Sequence, residues 1–182
     1  MLDLYIFKYK TFNIEDVPLN ILNDNLLNCK KLIHYYSWAK LREILLKHNI
    51  DIYNMPIRYN ENGKPLIDIP YYFNISHSKD LIAITISDFL CGVDIEYVNR
   101  TRNIKKLSKY VFKEEIADID SFYINWVRME ATVKLNGDSI LKNDNSYLDC
   151  YYNKIEDKNN LYYYAVASND KNIVIHNEIW NL

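Results

Sequence analysis

YYFNISHSKDLIAITISDFLCGVDIEYV, residues 71–98, holds closely spaced strand patterns separated by short polar breaks. YYFNIS (71–76), LIAITIS (81–87) and CGVDIEYV (91–98) read as strands, and the gap Asp88–Leu90 suits a hairpin between the last two. Side chains alternate along a strand, so Val93 and Ile95 share one face while Asp94 and Glu96 share the other. Two carboxylates about 7 Å apart along a strand can converge on one hard cation. Gly92 falls on their face and would let a ligand approach the backbone. A strand with one apolar face ordinarily turns its acids to water. The pair therefore needs a further ligand and a substrate before it means chemistry.

Upstream, Leu2, Leu4 and Ile6 alternate as a strand over residues 2–8, followed by a polar, irregular stretch to about residue 24. Leu26 to His48 reads as a helix. Ile33, Ser37, Leu41, Ile44, Leu45 and His48 lie on one side, Lys40, Glu43 and Lys47 toward the other, and Asn49 is the stop. Arg58 to Pro70 carries an Asn-Gly pair and reads as turns around a short strand. Downstream, residues 103–112 and 113–119 look helical. Asp120 and Ser121 then cap a longer helix to about Asn136, with Gly137 stopping it. YLDCYYN (147–153), LYYYAVAS (161–168) and NIVIHNEI (172–179) are strand candidates. The order of elements predicts an α+β fold.

The 182 residues suit one large domain or two small halves, and a formal net charge of −2 argues against broad nucleic-acid binding. Cys29, Cys91 and Cys150 are odd in number and widely spaced, with no CxxC, so free thiols are expected rather than disulfides or a structural zinc site. The start MLDLYIFKYK does not read as a signal peptide, and no apolar run is long enough to span a membrane. These features predict a cytoplasmic location.

In FYINWVRMEATVKLNG (122–137), Trp126, Glu130 and Lys134 are four apart and stack on one helix face. An exposed Glu–Lys pair at this spacing is worth a few tenths of a kcal/mol. A tryptophan in the same stripe implies partial burial, which makes ornament the weaker reading. Packed on the strand, this helix would gather three carboxylates and a lysine, and clustered acids repel unless a cation neutralises them. FNISHSKD (73–80) adds His77, flanked by Ser76 and Ser78.

GKP (63–65), NISHS (74–78), GVDIE (92–96) and W-x-x-x-E-A-x-x-K-x-x-G (126–137) occur in this order. That ordered set resembles the 4′-phosphopantetheinyl transferases, in particular their pseudodimeric, surfactin-synthetase-activating branch. The resemblance implies a pseudodimer of two similar α+β halves, residues 1–90 with the coenzyme A nucleotide contacts and 91–182 with a magnesium site. It implies transfer of phosphopantetheine from coenzyme A to a serine of an apo acyl or peptidyl carrier protein, by a monomer. Asp94, Glu96 and Glu130 match the magnesium ligands, Glu130 also the base, and Lys134 the lysine near the pyrophosphate. His77 matches the histidine on a coenzyme A phosphate, Lys64 the nucleotide-pocket lysine, and Ser76 adds a hydrogen bond there. Two departures stand out. Met129 replaces the usual lysine before the glutamate, and Ala39 falls where an arginine for the 3′-phosphate is common. Lys30, Lys31, Lys40 and Arg42 are the candidates to replace that arginine, Lys40 standing next to the position. A degenerate homologue that binds coenzyme A or a carrier without turnover is the alternative that Met129 keeps open. An unrelated metal-dependent phosphohydrolase is the third.

Overall fold

The computed structural model describes residues 1–22, 32–138 and 150–179. In the first sheet, β1 (Leu2–Lys8) lies between β5 (Leu81–Ser87), to which it is antiparallel, and β9 (Ile173–Asn177), to which it is parallel; β4 (Tyr72–Ser78) closes the other side of β5. The second sheet is antiparallel, with β6 (Cys91–Tyr97) and β7 (Tyr151–Asp157) flanking β8 (Asn160–Ser168). A small hairpin pairs β2 (Arg58–Tyr59) with β3 (Pro65–Leu66). The helices among the described residues are α1 (Leu19–Leu22), α2 (Leu32–Leu46), α3 (Ile104–Val111) and α4 (Ile119–Asn136).

Alternation decides the layers. Tyr5, Phe7, Phe73, Ile82, Ile84 and Ile86 form one face of the first sheet, under Ile33, Leu41, Ile44 and Leu45 of α2. Leu2, Leu4, Ile6, Leu81 and Ala83 form its other face, packed on Val93, Ile95, Tyr162, Tyr164 and Val166 of the second sheet. Tyr163, Ala165 and Ala167 face outward from there and are covered by Phe122, Tyr123, Val127, Ala131 and Leu135 of α4. The result is an α+β stack of helix, sheet, sheet and helix. Leu4, Ile6, Leu41, Ile44 and Leu45 have no exposed surface. Each such side chain contributes about 2 kcal/mol.

The expected hairpin across Asp88–Leu90 does not form. Both edges of β5 are already taken by β1 and β4, so β6 leaves that sheet and pairs with β8 instead. Residues 88–90 thus carry the chain from one sheet to the other, and β9 later returns to the first. Residues 113–118 are not helical, and only Ile119 of the expected 113–119 helix is, as the start of α4: Lys113 takes a left-handed backbone (φ 61°) after α3, and Ser108 Oγ receives Ile116 N instead. Asp118, not Asp120 or Ser121, caps α4 by accepting Ser121 N at 2.7 Å. Gly137 (φ 69°) ends α4 as its composition predicts.

The helix expected from residue 26 is described only from Leu32; residues 26–31, with Cys29, Lys30 and Lys31, lie outside the described residues. His48 lies beyond the end of α2 and is exposed, and Asn49 is left-handed (φ 60°). The stretch expected to be irregular is more ordered as far as residue 22, with a 3₁₀ turn at Ile14–Asp16 capped by Asn13, then α1; residues 23 and 24 lie outside the described residues. The expected strand 147–153 is found over 151–157, residues 147–149 lying outside the described ones. Cys91 and Cys150 are buried. Among the described residues no helix is long and apolar enough to cross a membrane.

Candidate active site at the seam between the sheets

β6 is an edge strand whose free backbone N–H groups face β4. The side chains of β4 that point across the seam are polar and spaced by two. Asn74 Oδ1 accepts Val93 N at 2.9 Å, Ser76 Oγ accepts Ile95 N at 3.3 Å, and Ser78 Oγ accepts Tyr97 N at 3.0 Å. This row satisfies an edge that would otherwise leave buried donors unpaired.

The same hydroxyls hold the carboxylates. Ser76 Oγ donates to Asp94 Oδ1 at 2.9 Å, and Ser78 Oγ donates to Glu96 Oε2 at 3.2 Å. From α4, Lys134 Nζ donates to Asp94 Oδ1 at 2.6 Å and to Ser76 Oγ at 3.0 Å. Gly92 lets the helix come this close. A Cβ there would stand 2.1 Å from Ala131 O and 2.4 Å from Leu135 N. The expectation that Gly92 admits a ligand is therefore corrected: the helix backbone fills that space.

The carboxylates also act on one another. Burial, then the charges of Asp94 and Glu96, push the Glu130 carboxyl up to about 7, against the pull of Lys134. Glu96 is raised by burial and by Asp94, while Arg102, Ser78 and Lys134 hold it down. Asp94 is 3% exposed, so the reading that these acids simply face water does not hold for it.

A hard cation suits this donor set. Asp94 Oδ2 is buried without a hydrogen-bond partner, and the raised Glu96 and Glu130 carboxyls are what crowded like charges produce. Among the described residues no three His, Cys, Asp or Glu side chains are grouped so that they could hold a metal ion, and Lys134 takes up one Asp94 oxygen.

The other predicted residues are distributed around this cluster. Ser76 is at its centre. His77, next along β4, points to the opposite face, is exposed, and lies with its ring 6.5 Å from that of His34 on α2. Lys40 is on α2, 2.6 Å from Glu43 and 4.9 Å over the Phe7 ring, beside a pocket shared with Lys10 and Arg42. Lys64 Nζ donates to Lys134 O at 2.6 Å and Leu135 O at 3.0 Å. A cavity of about 240 Å³ opens beside it, lined by Asn62, Lys64, Asn74 and Lys134.

No family model matches the chain. Among curated proteins it is 30% identical to the 4′-phosphopantetheinyl transferase gsp of Aneurinibacillus migulanus, over 59% of this chain and 51% of that one. It is 37% identical to the 4′-phosphopantetheinyl transferase AcpT of Escherichia coli K12, over 50% and 55% respectively. A putative 4′-phosphopantetheinyl transferase of Haemophilus influenzae is 26% identical over 74% of this chain and 67% of its own. All three relatives bear the name 4′-phosphopantetheinyl transferase, and the likeness supports that superfamily for this chain. It spans about half the length of the first two of these relatives.

Asn74, Ser78 and Arg102 line the candidate site, and sequence reading gave them no role there. Polar residues at every second position of an otherwise apolar strand were the available signal for Asn74 and Ser78. Arg102 had none: it reaches the site from a loop, 5.9 Å over the Trp126 ring, and its charge acts on Glu96. Met129, in place of the usual lysine, is 1% exposed, a packing position that suits a flexible apolar side chain.

Proposed function

We propose that the chain transfers the 4′-phosphopantetheine group of coenzyme A to a serine hydroxyl of an apo acyl or peptidyl carrier protein. The products are the holo carrier and adenosine 3′,5′-bisphosphate. The observation that carries this reading is the meeting of Asp94, Glu96, Glu130 and Lys134 at one seam, in a chain whose relatives bear the transferase name.

The new bond joins the serine oxygen to the phosphorus that carries pantetheine. The bond from that phosphorus to the bridging oxygen breaks, and its electron pair leaves with adenosine 3′,5′-bisphosphate. Asp94, Glu96 and Glu130 would hold magnesium, which supplies charge neutralisation on the pyrophosphate when bound. Glu130, titrating at about 7, suits removal of the serine proton, directly or through one water. Lys134 offsets charge gathering on the leaving group, and Ser76 fixes the direction of its ammonium. His77 and Lys40 are proposed contacts to coenzyme A phosphates. Positioning and electrostatics then supply most of the rate. This reading puts the reaction in the cytoplasm, with the chain acting as a monomer.

The test is a mass measurement on an apo carrier incubated with coenzyme A and magnesium. A phosphopantetheine adduct with wild type, and none with Glu130→Gln, supports the assignment. An unchanged carrier with coenzyme A bound would favour the non-catalytic homologue that Met129 allows, and free phosphate would favour hydrolysis.

A further inference from the structure

The turn Asn60–Lys64 joins β2 to β3, far from α4 in sequence, yet it closes that helix. Asn60 makes the turn rigid. Its Oδ1 accepts Asn62 N at 3.0 Å and Lys64 N at 2.8 Å, and its backbone N–H donates to Lys64 O at 3.0 Å. Gly63 takes the left-handed conformation (φ 82°) that the turn requires.

From this frame three side chains reach the end of α4. Lys64 Nζ donates to Lys134 O at 2.6 Å and Leu135 O at 3.0 Å. Asn60 Nδ2 and Asn62 Nδ2 donate to Gly137 O at 3.0 and 2.8 Å. The last carbonyls of a helix have no partner within it, and a cation at that end also complements the helix dipole. Val133 O is met by the backbone N–H groups of Gly137 and Asp138. The turn thus supplies what the helix end lacks.

The consequence reaches the reacting groups. Lys134 is held at both ends: its carbonyl by Lys64, its ammonium by Asp94 and Ser76. Glu130 lies one turn earlier on the same helix. We propose that the Asn60–Lys64 turn is a positioning element for the transfer step, and that Lys64 acts through the last turn of α4 rather than on the nucleotide. The ammonium is partly spent on helix carbonyls, and burial lowers its pKa, as expected for a lysine engaged inside the protein. The inference rests on the transferase reading for its kinetic half only.

The experiment uses the full chain with Lys64→Met, Lys64→Arg and the double variant Asn60→Ala/Asn62→Ala, which keeps the lysine. Kinetics are measured with coenzyme A and with dephospho-coenzyme A, on an apo carrier. Lys64→Met is expected to lower kcat about a hundredfold, the effect of displacing reacting groups by about 1 Å. KM for both nucleotides stays within about twofold, because uniform binding is untouched. The double variant lowers kcat in the same direction, and Lys64→Arg, which keeps donors for both carbonyls, restores most of it.

A rise in KM for coenzyme A that disappears with dephospho-coenzyme A, at unchanged kcat, overturns the proposal and makes Lys64 a phosphate contact. Amide exchange without substrate gives an independent arm. Residues 131–138 should exchange roughly tenfold faster in Lys64→Met and in the double variant, the factor for losing a hydrogen bond to a charged group. β5 protection, which reports the intact core, stays at its wild-type level. Unchanged exchange in α4 also overturns the proposal. Should wild type give no adduct, the transferase reading fails while the exchange arm still decides whether the turn holds the helix.

Discussion

Two long helices cover two sheets in this molecule, and they treat their charges in opposite ways. On α2, Lys40 pairs with Glu43 and Arg42 with Asp51, with both acids about half exposed. On α4, Lys134 turns inward to a buried Asp94, and Glu130 sits in the field of two more carboxylates. The strands beneath explain the difference. α2 lies over β1 and β5, which have neighbours on both sides and meet it with aromatic and isoleucine side chains. α4 lies over β6, whose free edge abuts the hydroxyl row of β4. Polar donors at that edge are what make a buried ionic cluster affordable, so the site falls where the edge of one sheet meets the face of another.

The sharpest way to break this contrast is Gly92→Val. The new Cβ meets helix backbone rather than a yielding side chain, so α4 must lift. Denaturant unfolding should show a loss of about 3 kcal/mol or more, and an unchanged midpoint would refute the close packing. Lys134→Met comes next. It leaves Asp94 buried without its cation, at a cost of about 3 kcal/mol, as for other broken buried pairs. Lys134→Arg should recover part of that loss.

Glu130 gives the contrast a pH signature. Its carboxyl is raised from 4.5 to about 7 in the folded state, so the native protein holds this proton longer than the unfolded chain does. The stability it contributes is complete below about pH 4.5 and is lost as pH rises toward 7, by an amount on the order of 2 kcal/mol. Glu130→Gln should flatten that part of the stability–pH curve. A curve with the same slope in the variant would remove Glu130 from the cluster.

The candidate site was legible because its spacings are local. Alternation placed Asp94 beside Glu96, and the four-residue interval placed Glu130 above Lys134. The strands β1, β5, β6 and β8 were legible for the same reason. Partners were not. Periodicity says which face a residue occupies, not what that face meets, so β6 was paired with the wrong strand and Gly92 with the wrong occupant. Residues 113–118 carry a helical composition that the left-handed Lys113 and the cap at Asp118 override. The roles of Asn74, Ser78 and Lys64 depend on elements distant in sequence.

Smaller effects refine the comparison. Ser78→Ala strands Tyr97 N and one oxygen of Glu96, and should cost about 1–2 kcal/mol by thermal or chemical unfolding. Arg42→Ala on α2 removes the pair with Asp51, a bond to Asp16 O and a contact over the Tyr53 ring, all near the surface, and should cost about 1 kcal/mol. If the Arg42 variant proved the more damaging of the two, the seam would lose its claim to be the polar centre of the fold.

The missing side chain at residue 92 also works as a key. Were β6 to slide one step along β8, the Cβ of Cys91 or Val93 would be driven against the carbonyl of Ala131, and both acids would be turned into the apolar layer between the sheets. Mispaired chains are therefore rejected by shape before any ligand is present. An empty space the size of a methyl group keeps the acids in phase with the helix above them.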